Sequence, residues 1–321
     1  MRRREFIALV GGAAAAWPLP LSAQQGRVPT IGVLVFGNPP PEPFLTDLRA
    51  GLRDVGYTEG RNIRLEVRTA EGKANLLPEK AAELVRLKVD IIVPFQTPAS
   101  TAAKQATSEI PIVMVRAGDP VATGLIASLA RPGGNVTGTS AGVAETVGKV
   151  VELIREAIPS ARRIAVLANE MDPFAKPYLA AIGAGARSVG MEMVPIMARP
   201  SEPLGPAFET MTGKRVDAFI AMLSFMRREV FELALKHRLP LFSTDRRWTV
   251  AGALMSYAAH FEALHRETAV YIDKILKGSK PADLPVAFPT KFELVINMRT
   301  AKALGLAIPQ SLLLRTDEVI Q

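Results

Sequence analysis

The sequence predicts an α/β protein with two lobes, each built on a parallel β-sheet flanked by helices. Its length of 321 residues suits two compact units better than one domain of ordinary size. Short apolar segments rich in β-branched residues alternate with segments of helical periodicity, which favours parallel strands joined by crossover helices. A stretch rich in glycine and proline, residues 131–140, interrupts this alternation, which then starts again.

The first unit begins with an apolar run from Thr30 to Phe36, which predicts a buried strand that ends in a loop at Gly37. A helix follows, because apolar residues recur at helical spacing from Phe44 to Val55 and Gly56 ends this pattern. The unit continues with strands predicted over 63–67, 90–95 and 110–115 and with helices predicted over 78–87 and 99–108. This order predicts helices on both faces of one parallel sheet.

The second unit has a similar order of elements but a different sequence, so the duplication is structural. Its elements are predicted as helix 145–157, strand 163–168, helix 173–189, strand 192–197, helix 204–214, strand 217–223, helix 226–237, strand 239–242, strand 253–257 and helix 262–276. The unit is therefore complete near residue 276.

The remaining segment is predicted to return to the first lobe. It contains an extended piece, a strand and a helix, at 285–288, 293–297 and 300–304. The predicted first lobe is therefore residues 28–140 together with 285–321, and the second is residues 141–284. Because the chain would then cross between the lobes several times, we expect a hinge of several strands.

The first 23 residues have the pattern of a secretory signal peptide. Residues 2–4 are arginines, and the apolar stretch over 8–21 is too short and too often interrupted to span a bilayer. The small residue Ala23 ends the segment, and Arg3-Arg4-Glu5-Phe6 resembles the twin-arginine form of the signal. We therefore expect a periplasmic protein cleaved near Ala23. An uncleaved tail or anchor is the alternative.

Composition argues against several classes of function. The formal charge is +8, but basic and acidic residues are interleaved and form no stripe suited to nucleic acid. The chain has no cysteine, which excludes disulfides, thiolate nucleophiles and cysteine-ligated metals. His260 and His265 are five residues apart, whereas a helical metal pair needs a spacing of four. Nucleotide-binding and esterase motifs do not occur. We predict no metal, no cofactor and no enzymatic activity.

A ligand site is predicted in the cleft between the lobes, because open parallel sheets bind ligands beyond the carboxyl ends of their strands. Thr97 and Ser100 lie at a predicted helix N-terminus, whose free amides attract carboxylates, although both residues are also ordinary helix caps. Asp119 and Asp245 could accept a ligand ammonium or pair with neighbouring arginines. The candidate ligand-binding residues are Phe36, Gly37, Thr97, Ala99, Ser100, Ala117, Asp119, Asn169, Ser224 and Asp245.

Several runs of the sequence resemble the ABC transporter substrate-binding proteins of the tryptophan/tyrosine-receptor type. These runs are residues 103–107, 110–112, 118–121, 128–138, 254–257, 271–278, 280–285, 289–297 and 300–306. The resemblance implies two Rossmann-like lobes with the fold of type I periplasmic binding proteins. It also implies a receptor that closes on a small solute and presents it to a membrane permease. The cleft loops of the family correspond here to Thr97–Ser100, Ala117–Asp119, the loop that begins at Asn169 and the segment around Asp245.

The chain departs from the usual pattern of this family, which leaves the solute open. Arg116 and Ala117 replace small serine or glycine residues, and the family pattern also changes at 223–225 and 258–260. A carboxylate-bearing, amino-acid-like solute is expected. An aromatic or branched solute would need an apolar wall, which could be formed by Phe36, Phe174 and Phe225.

Two alternatives to an importer receptor stay open at this stage. One is a secreted sensor that reports its ligand to a membrane signalling receptor, and the other is an enzyme that acts on a small acid through aspartate and serine residues of the cleft. The main expectation is a monomer without catalytic activity that closes when a solute bridges both lobes.

Overall fold

The computed structural model describes residues 27–37 and 42–321, and the predicted signal peptide, residues 1–23, lies outside this part of the chain. The first sheet consists of β1 (Thr30–Val35), β2 (Arg64–Thr69), β3 (Ile91–Phe95), β4 (Ile112–Ala117) and β5 (Val136–Ser140). These strands are parallel and lie in the order β2-β1-β3-β4-β5. The edge strand β5 falls within the stretch rich in glycine and proline, where the sequence predicted no strand.

The second sheet consists of β6 (Arg163–Asn169), β7 (Glu192–Ala198), β8 (Ala218–Ala221), β9 (Leu241–Ser243), β10 (Met255–Ala259), β11 (Phe292–Asn297) and β12 (Glu318–Ile320). The strands lie in the order β12-β11-β10-β9-β8-β6-β7. Pairing is parallel except between β10 and β11, which are antiparallel.

The helices are α1 (Glu42–Asp54), α2 (Leu77–Arg86), α3 (Gln96–Ala106), α4 (Val143–Ala157), α5 (Ala175–Ser188), α6 (Gly205–Gly213), α7 (Arg228–Lys236), α8 (Arg246–Ala251), α9 (Phe261–Leu276), α10 (Met298–Leu304) and α11 (Gln310–Leu313). Among the described helices, none combines the length and the hydrophobicity that crossing a bilayer requires.

Both faces of the first sheet are buried, as expected for a parallel sheet with crossover helices. Successive side chains of β1 point to opposite faces, so that Leu34 joins one core and Val33 joins the other. The core around Val33 includes Ile272 of α9, which packs against α1. The second lobe has its own core, built around the fully buried strand residues of β6 and β8.

The α/β fold with two sheets flanked by helices is confirmed, but the predicted assignment of the last segment to the first lobe is wrong for residues 292–321. Strands β11 and β12 extend the second sheet from β10. Helix α9 and the residues up to 284, predicted in the second lobe, lie on the first, because the apolar face of α9 packs on α1. Residues 285–287, predicted in the first lobe, lie on it, since Ala287 bridges to Thr139 of β5. Hydrophobic periodicity identifies an element but does not specify the sheet that it joins.

The chain crosses between the lobes in three places. It passes from β5 to α4 at residues 140–143, from β10 to α9 at 259–261, and from the bridge at Ala287 to β11 at 288–292. Three adjacent connections restrict the relative motion of the lobes to bending and twisting about one region, which is the geometry of a hinge.

The packing of α9 on the first lobe predicts the effect of filling Gly51 of α1. A Cβ atom there would lie 2.6 Å from the carbonyl oxygen of Arg266 in α9. We expect Gly51→Ala to lower the free energy of unfolding by about 1–3 kcal/mol, measured by denaturant unfolding, because the two helices must move apart.

Gly148→Ala is the matched control, since a Cβ atom at this position in α4 meets no atom within 4 Å. Alanine has the higher helix propensity, so this variant should be as stable as the wild type or more stable by up to about 1 kcal/mol. Equal stability of the two variants would contradict the packing of α9 on α1.

Candidate functional site

The carboxyl ends of the two sheets face each other and enclose a cavity of about 80 Å³. The first lobe contributes the residue that follows β1, the first residues of α3 and the end of β4. The second lobe contributes the residues that follow β6, β8 and β9. Both lobes therefore line the cavity, and a molecule inside it contacts both.

Four of the ten candidate residues line this cavity, namely Phe36, Thr97, Ser224 and Asp245. The other six do not line it: Gly37, Ala99, Ser100, Ala117, Asp119 and Asn169. Phe225, named as a possible apolar wall, is fully buried in the core of the second lobe. The chosen loops thus reach the cleft, but side-chain direction selects which residues face it.

Local hydrogen bonds explain why three polar candidates do not line the cavity. The Ser100 hydroxyl donates to the carbonyl oxygen of Gln96 within α3. The Asp119 carboxylate accepts two backbone N–H groups of the turn that follows it. Asn169 accepts the backbone N–H of Met171 and lines a second hollow of the cleft, next to the cavity. These are the capping and turn roles that compete with ligand binding at such positions.

A buried ion pair joins the two lobes beside the cavity. Arg116, at the end of β4, donates from Nη2 to Oδ2 of Asp245 over 2.9 Å, and each side chain is only 7% exposed. Asp245 precedes α8 and also binds Arg247 of its own lobe through two contacts, of 2.7 Å and 2.9 Å. The guanidinium carbon of Arg116 lies 3.4 Å from the centroid of the Phe261 ring, which adds a cation–π contact.

Burial and charge shift the pKa values of this pair. Burial lowers the pKa of Arg116 to about 10, although the Asp245 carboxylate partly opposes the shift. Burial alone would raise the pKa of Asp245, but the guanidinium groups of Arg116 and Arg247 outweigh it and hold that pKa well below its ordinary value. Both groups are therefore charged at neutral pH.

Two residues at the cavity have a left-handed backbone that is uncommon outside glycine. Arg116 has φ of 53° at a bulge between β4 and β5, and Gln96, the first residue of α3, has φ of 72°. Each such residue costs on the order of 1–3 kcal/mol, and such strain is concentrated at functional sites. The bulge turns the Arg116 side chain towards the second lobe.

Aromatic side chains form much of the cavity wall. Phe36 comes from the first lobe, Phe174, Tyr178 and Trp248 come from the second, and Phe261 lies beside the crossing into α9. The rings of Phe174 and Tyr178 are 5.6 Å apart at their centroids. Such walls provide large apolar surface for a flat solute.

Two polar groups of the second lobe have unused hydrogen-bonding capacity at the cavity. Asp172 accepts the backbone N–H of Phe174 on Oδ1 over 2.9 Å and forms no ion pair with any described residue. Burial raises the pKa of Asp172 to about 6, and the hydrogen bond from Phe174 only partly offsets this effect. The Ser224 hydroxyl is buried and has no hydrogen-bond partner within the described chain.

Four of these wall residues are not among the ten candidates predicted from the sequence, namely Asp172, Tyr178, Trp248 and Phe261. Asp172 could have been predicted, because it lies in the loop that follows a predicted strand of the second lobe, and such loops bind ligands. Phe261 could not have been predicted, since its place beside Arg116 depends on the return of α9 to the first lobe. Within residues 27–37 and 42–321, no cluster of three histidine or acidic side chains is arranged to hold a metal ion.

A cavity lined by both lobes of such a fold defines a solute-binding protein. A family model described as ABC transporter substrate binding protein matches residues 41–320, and the chain belongs to this family. The fold is that of the type I periplasmic binding proteins, as the sequence predicted. The members of the family bind solutes and are not enzymes, which confirms the expectation of no catalytic activity.

Among curated proteins, the chain is similar to a tyrosine-binding protein of Clostridioides difficile (strain R20291). The two are 29% identical over 258 residues, which cover 79% of this chain and 74% of that protein. Among solved structures, it is similar to a domain from Streptococcus pneumoniae in complex with L-Trp, with a TM-score of 0.84, 26% identity and coverage of 92% and 100%. A ligand-free, open substrate-binding protein from Clostridium difficile matches with a TM-score of 0.65, 28% identity and the same coverage.

The buried ion pair predicts a large loss of stability when Asp245 becomes neutral. Asp245→Asn leaves Arg116 buried without its counter-charge, so we expect the free energy of unfolding to fall by about 3–5 kcal/mol. Because the pKa of Asp245 is lower in the folded protein, its contribution is present above about pH 4 and is lost as the pH falls further.

Denaturant unfolding at pH 7 measures this effect, with Glu192→Gln as the control. Glu192 pairs with Arg163 at the surface, and both side chains are about half exposed, so its loss should cost less than about 1 kcal/mol. A change of similar size in the two variants would show that the lobes are not held together by the Arg116 pair.

Proposed function

We propose that the chain is the extracytoplasmic receptor of an ABC importer, and that it captures a small, carboxylate-bearing, amino-acid-like solute between its lobes. The main support is the cavity itself, which both lobes line and aromatic rings surround. The candidate contacts of the solute are Phe36, Thr97 and Ser224, together with Arg116 and Asp245 as the pair that lies beside it.

The N-terminus of α3 supports the proposal that the solute carries a carboxylate. Gln96, Thr97 and Pro98 line the cavity at the start of this helix. Pro98 has no N–H, but the other residues of the first turn carry main-chain N–H groups without intrahelical partners. The Thr97 hydroxyl oxygen accepts the backbone N–H of Gly118 over 2.8 Å. That contact uses an acceptor site of the oxygen and leaves its O–H group free to donate. The carboxylate would therefore be bound by amides, by the helix dipole and by the Thr97 O–H group.

The aromatic wall and the relatives together favour an aromatic amino acid. One relative is named for tyrosine and another was solved with L-Trp. In this chain Phe174 and Trp248 supply flat apolar surfaces at the cavity, which suits a phenol or indole ring. We infer tyrosine, tryptophan or a close analogue as the solute.

Hinge closure is the proposed mechanism of capture. The chain is more similar to the L-Trp complex than to the open, ligand-free protein, with TM-scores of 0.84 and 0.65. Its lobes touch at the pair of Arg116 and Asp245. A solute that contacts both lobes binds this conformation better than an open one and so shifts the population towards it.

The remaining parts of the proposal concern location and partners. The predicted signal peptide supports export to the periplasm, and the twin-arginine form is the proposed route. There the protein would act as a monomer and deliver its solute to the membrane permease of the importer.

The proposed solute class predicts stabilisation by aromatic amino acids. At about 100 times its dissociation constant, a ligand of the folded protein adds roughly 2.7 kcal/mol, which raises the melting temperature by several degrees. We expect this shift with L-tryptophan or L-tyrosine in thermal unfolding and a matching heat in calorimetry. D-glucose is the control. A shift with the sugar and none with amino acids would contradict the proposal.

The proposed closure predicts that any side chain at Gly118 weakens binding. A Cβ atom there would lie 2.3 Å from the ring of Phe174, across the interface between the lobes. We expect Gly118→Ala to bind the solute about tenfold or more weakly, because the clash makes the closed form less favourable. A tenfold loss of affinity corresponds to about 1.4 kcal/mol of binding free energy.

Calorimetry measures this affinity, and small-angle scattering measures compaction on addition of the solute. Gly213→Ala is the control, because a Cβ atom at the end of α6 meets nothing within 4 Å. The control should compact like the wild type. Full affinity and full compaction in Gly118→Ala would rule out a closed form with the Gly118 and Phe174 contact.

A further inference from the structure

We propose that Asp172 binds the ammonium group of the solute, so that the cleft selects aromatic amines and amino acids over analogues that lack the amine. The inference rests on the proposed function, because it concerns the same cavity. It adds the protein group that binds the positively charged end of the solute.

The backbone around Asp172 holds its carboxylate in a fixed direction. The residue lies in the loop between β6 and α5, where its N–H donates to the carbonyl oxygen of Asn169 and its carbonyl oxygen accepts the N–H of Ala175. Its Oδ1 atom accepts the N–H of Phe174 over 2.9 Å. The loop thus fixes one oxygen and leaves Oδ2 available on the cavity wall.

The charge balance of the cavity leaves this carboxylate uncompensated. Of the other charged side chains that line the cavity, Arg116 and Asp245 are paired with each other across the lobes, and Arg247, which also binds Asp245, does not line the cavity. No lysine or arginine of the described chain lies in an ion pair with Asp172. A partly buried ionised carboxylate is costly unless a cation approaches it, and a ligand ammonium is the cation that a solute receptor can recruit.

The neighbours of Asp172 also favour a cation. The rings of Phe174 and Tyr178 lie in the same wall, and the faces of aromatic rings attract ammonium groups. Across the cavity, the first lobe presents the positive end of the α3 dipole. The two lobes therefore present opposite electrostatic ends, and a zwitterion aligned between them would contact both.

The decisive experiment measures the affinity of wild type and Asp172→Asn for L-tryptophan, tryptamine and indole-3-propionate by calorimetry at pH 7.5. We expect the wild type to bind L-tryptophan and tryptamine and to bind indole-3-propionate far more weakly. Asp172→Asn should lose about 30-fold or more in affinity for the two amines, as expected when one partner of a buried charge pair is removed.

Glu170→Gln is the matched control, because Glu170 lies in the same loop but pairs with Arg199 outside the cavity. It removes the same charge and should bind all three probes like the wild type. Equal affinity of the wild type for L-tryptophan and indole-3-propionate, or unchanged L-tryptophan affinity in Asp172→Asn, would overturn the role of Asp172. Failure of the wild type to bind any probe would instead overturn the proposed solute class, and this inference with it.

The pH dependence provides a second readout that a structural role would not change. Burial raises the pKa of Asp172 to about 6, so protons should compete with tryptamine and weaken its binding about tenfold per pH unit below that value. The other titratable groups at the cavity keep the same protonation state from pH 5 to 8, since burial raises the pKa of Tyr178, the pKa of Arg116 is about 10 and that of Asp245 is low. Asp172→Asn should show no such dependence, and a wild-type profile that is equally flat would contradict the proposal.

The ligand-free protein offers a test that needs no solute. A carboxylate whose folded pKa is raised destabilises the protein once the pH exceeds that pKa, and this penalty disappears as the pH falls towards the unfolded value of about 4. Asp172→Asn should therefore melt a few degrees higher than the wild type at pH 7.5, with a smaller difference at pH 5. A lower melting temperature at pH 7.5 would show that Asp172 is a structural residue of its loop.

Discussion

The contact between Arg116 and Asp245 is the constraint on which the geometry of the cleft depends. Arg116 lies near the end of β4 and Asp245 follows β9 of the other sheet, and their side chains meet away from solvent. A guanidinium in such a place is stable only beside its counter-charge. The pair therefore fixes how closely the carboxyl ends of the sheets approach. The bulge that directs Arg116 and the ring of Phe261 beneath it are both arranged around this one contact.

The polar groups of the cavity are of two kinds, those paired within the protein and those with unused hydrogen-bonding capacity, and the second kind is available to a solute. Arg116 and Asp245 are paired with each other across the lobes and so shape the site. Asp172 and Ser224 retain unused capacity, at a cost to the empty protein. Natural proteins keep such costs mainly where function requires them, because binding supplies the missing partner. A receptor for a zwitterionic solute would show this distribution.

Much of the fold could be predicted from local patterns, and the errors have a common cause. Helices such as α1 and α9 were predicted within a few residues, because their apolar stripes recur at helical spacing. Strand β5 was missed, since its glycine and threonine residues carry no strong strand signal. The assignment of β11 and β12 failed because sheet membership depends on pairing with β10. In the site, the loops were found, but half-buried side chains such as Asp172 were not selected.

The sequence alone determined the repeated α/β order, the exclusion of cysteine chemistry, the family resemblance and the loops that follow the strands. These properties depend on residue types and on spacings of two to four residues, which are local. The tertiary structure decided which lobe each late segment joins, which loop residues face the cavity, and that Arg116 is neutralised while Asp172 is not. Such properties depend on residues more than a hundred positions apart meeting in space, and no local pattern encodes that meeting.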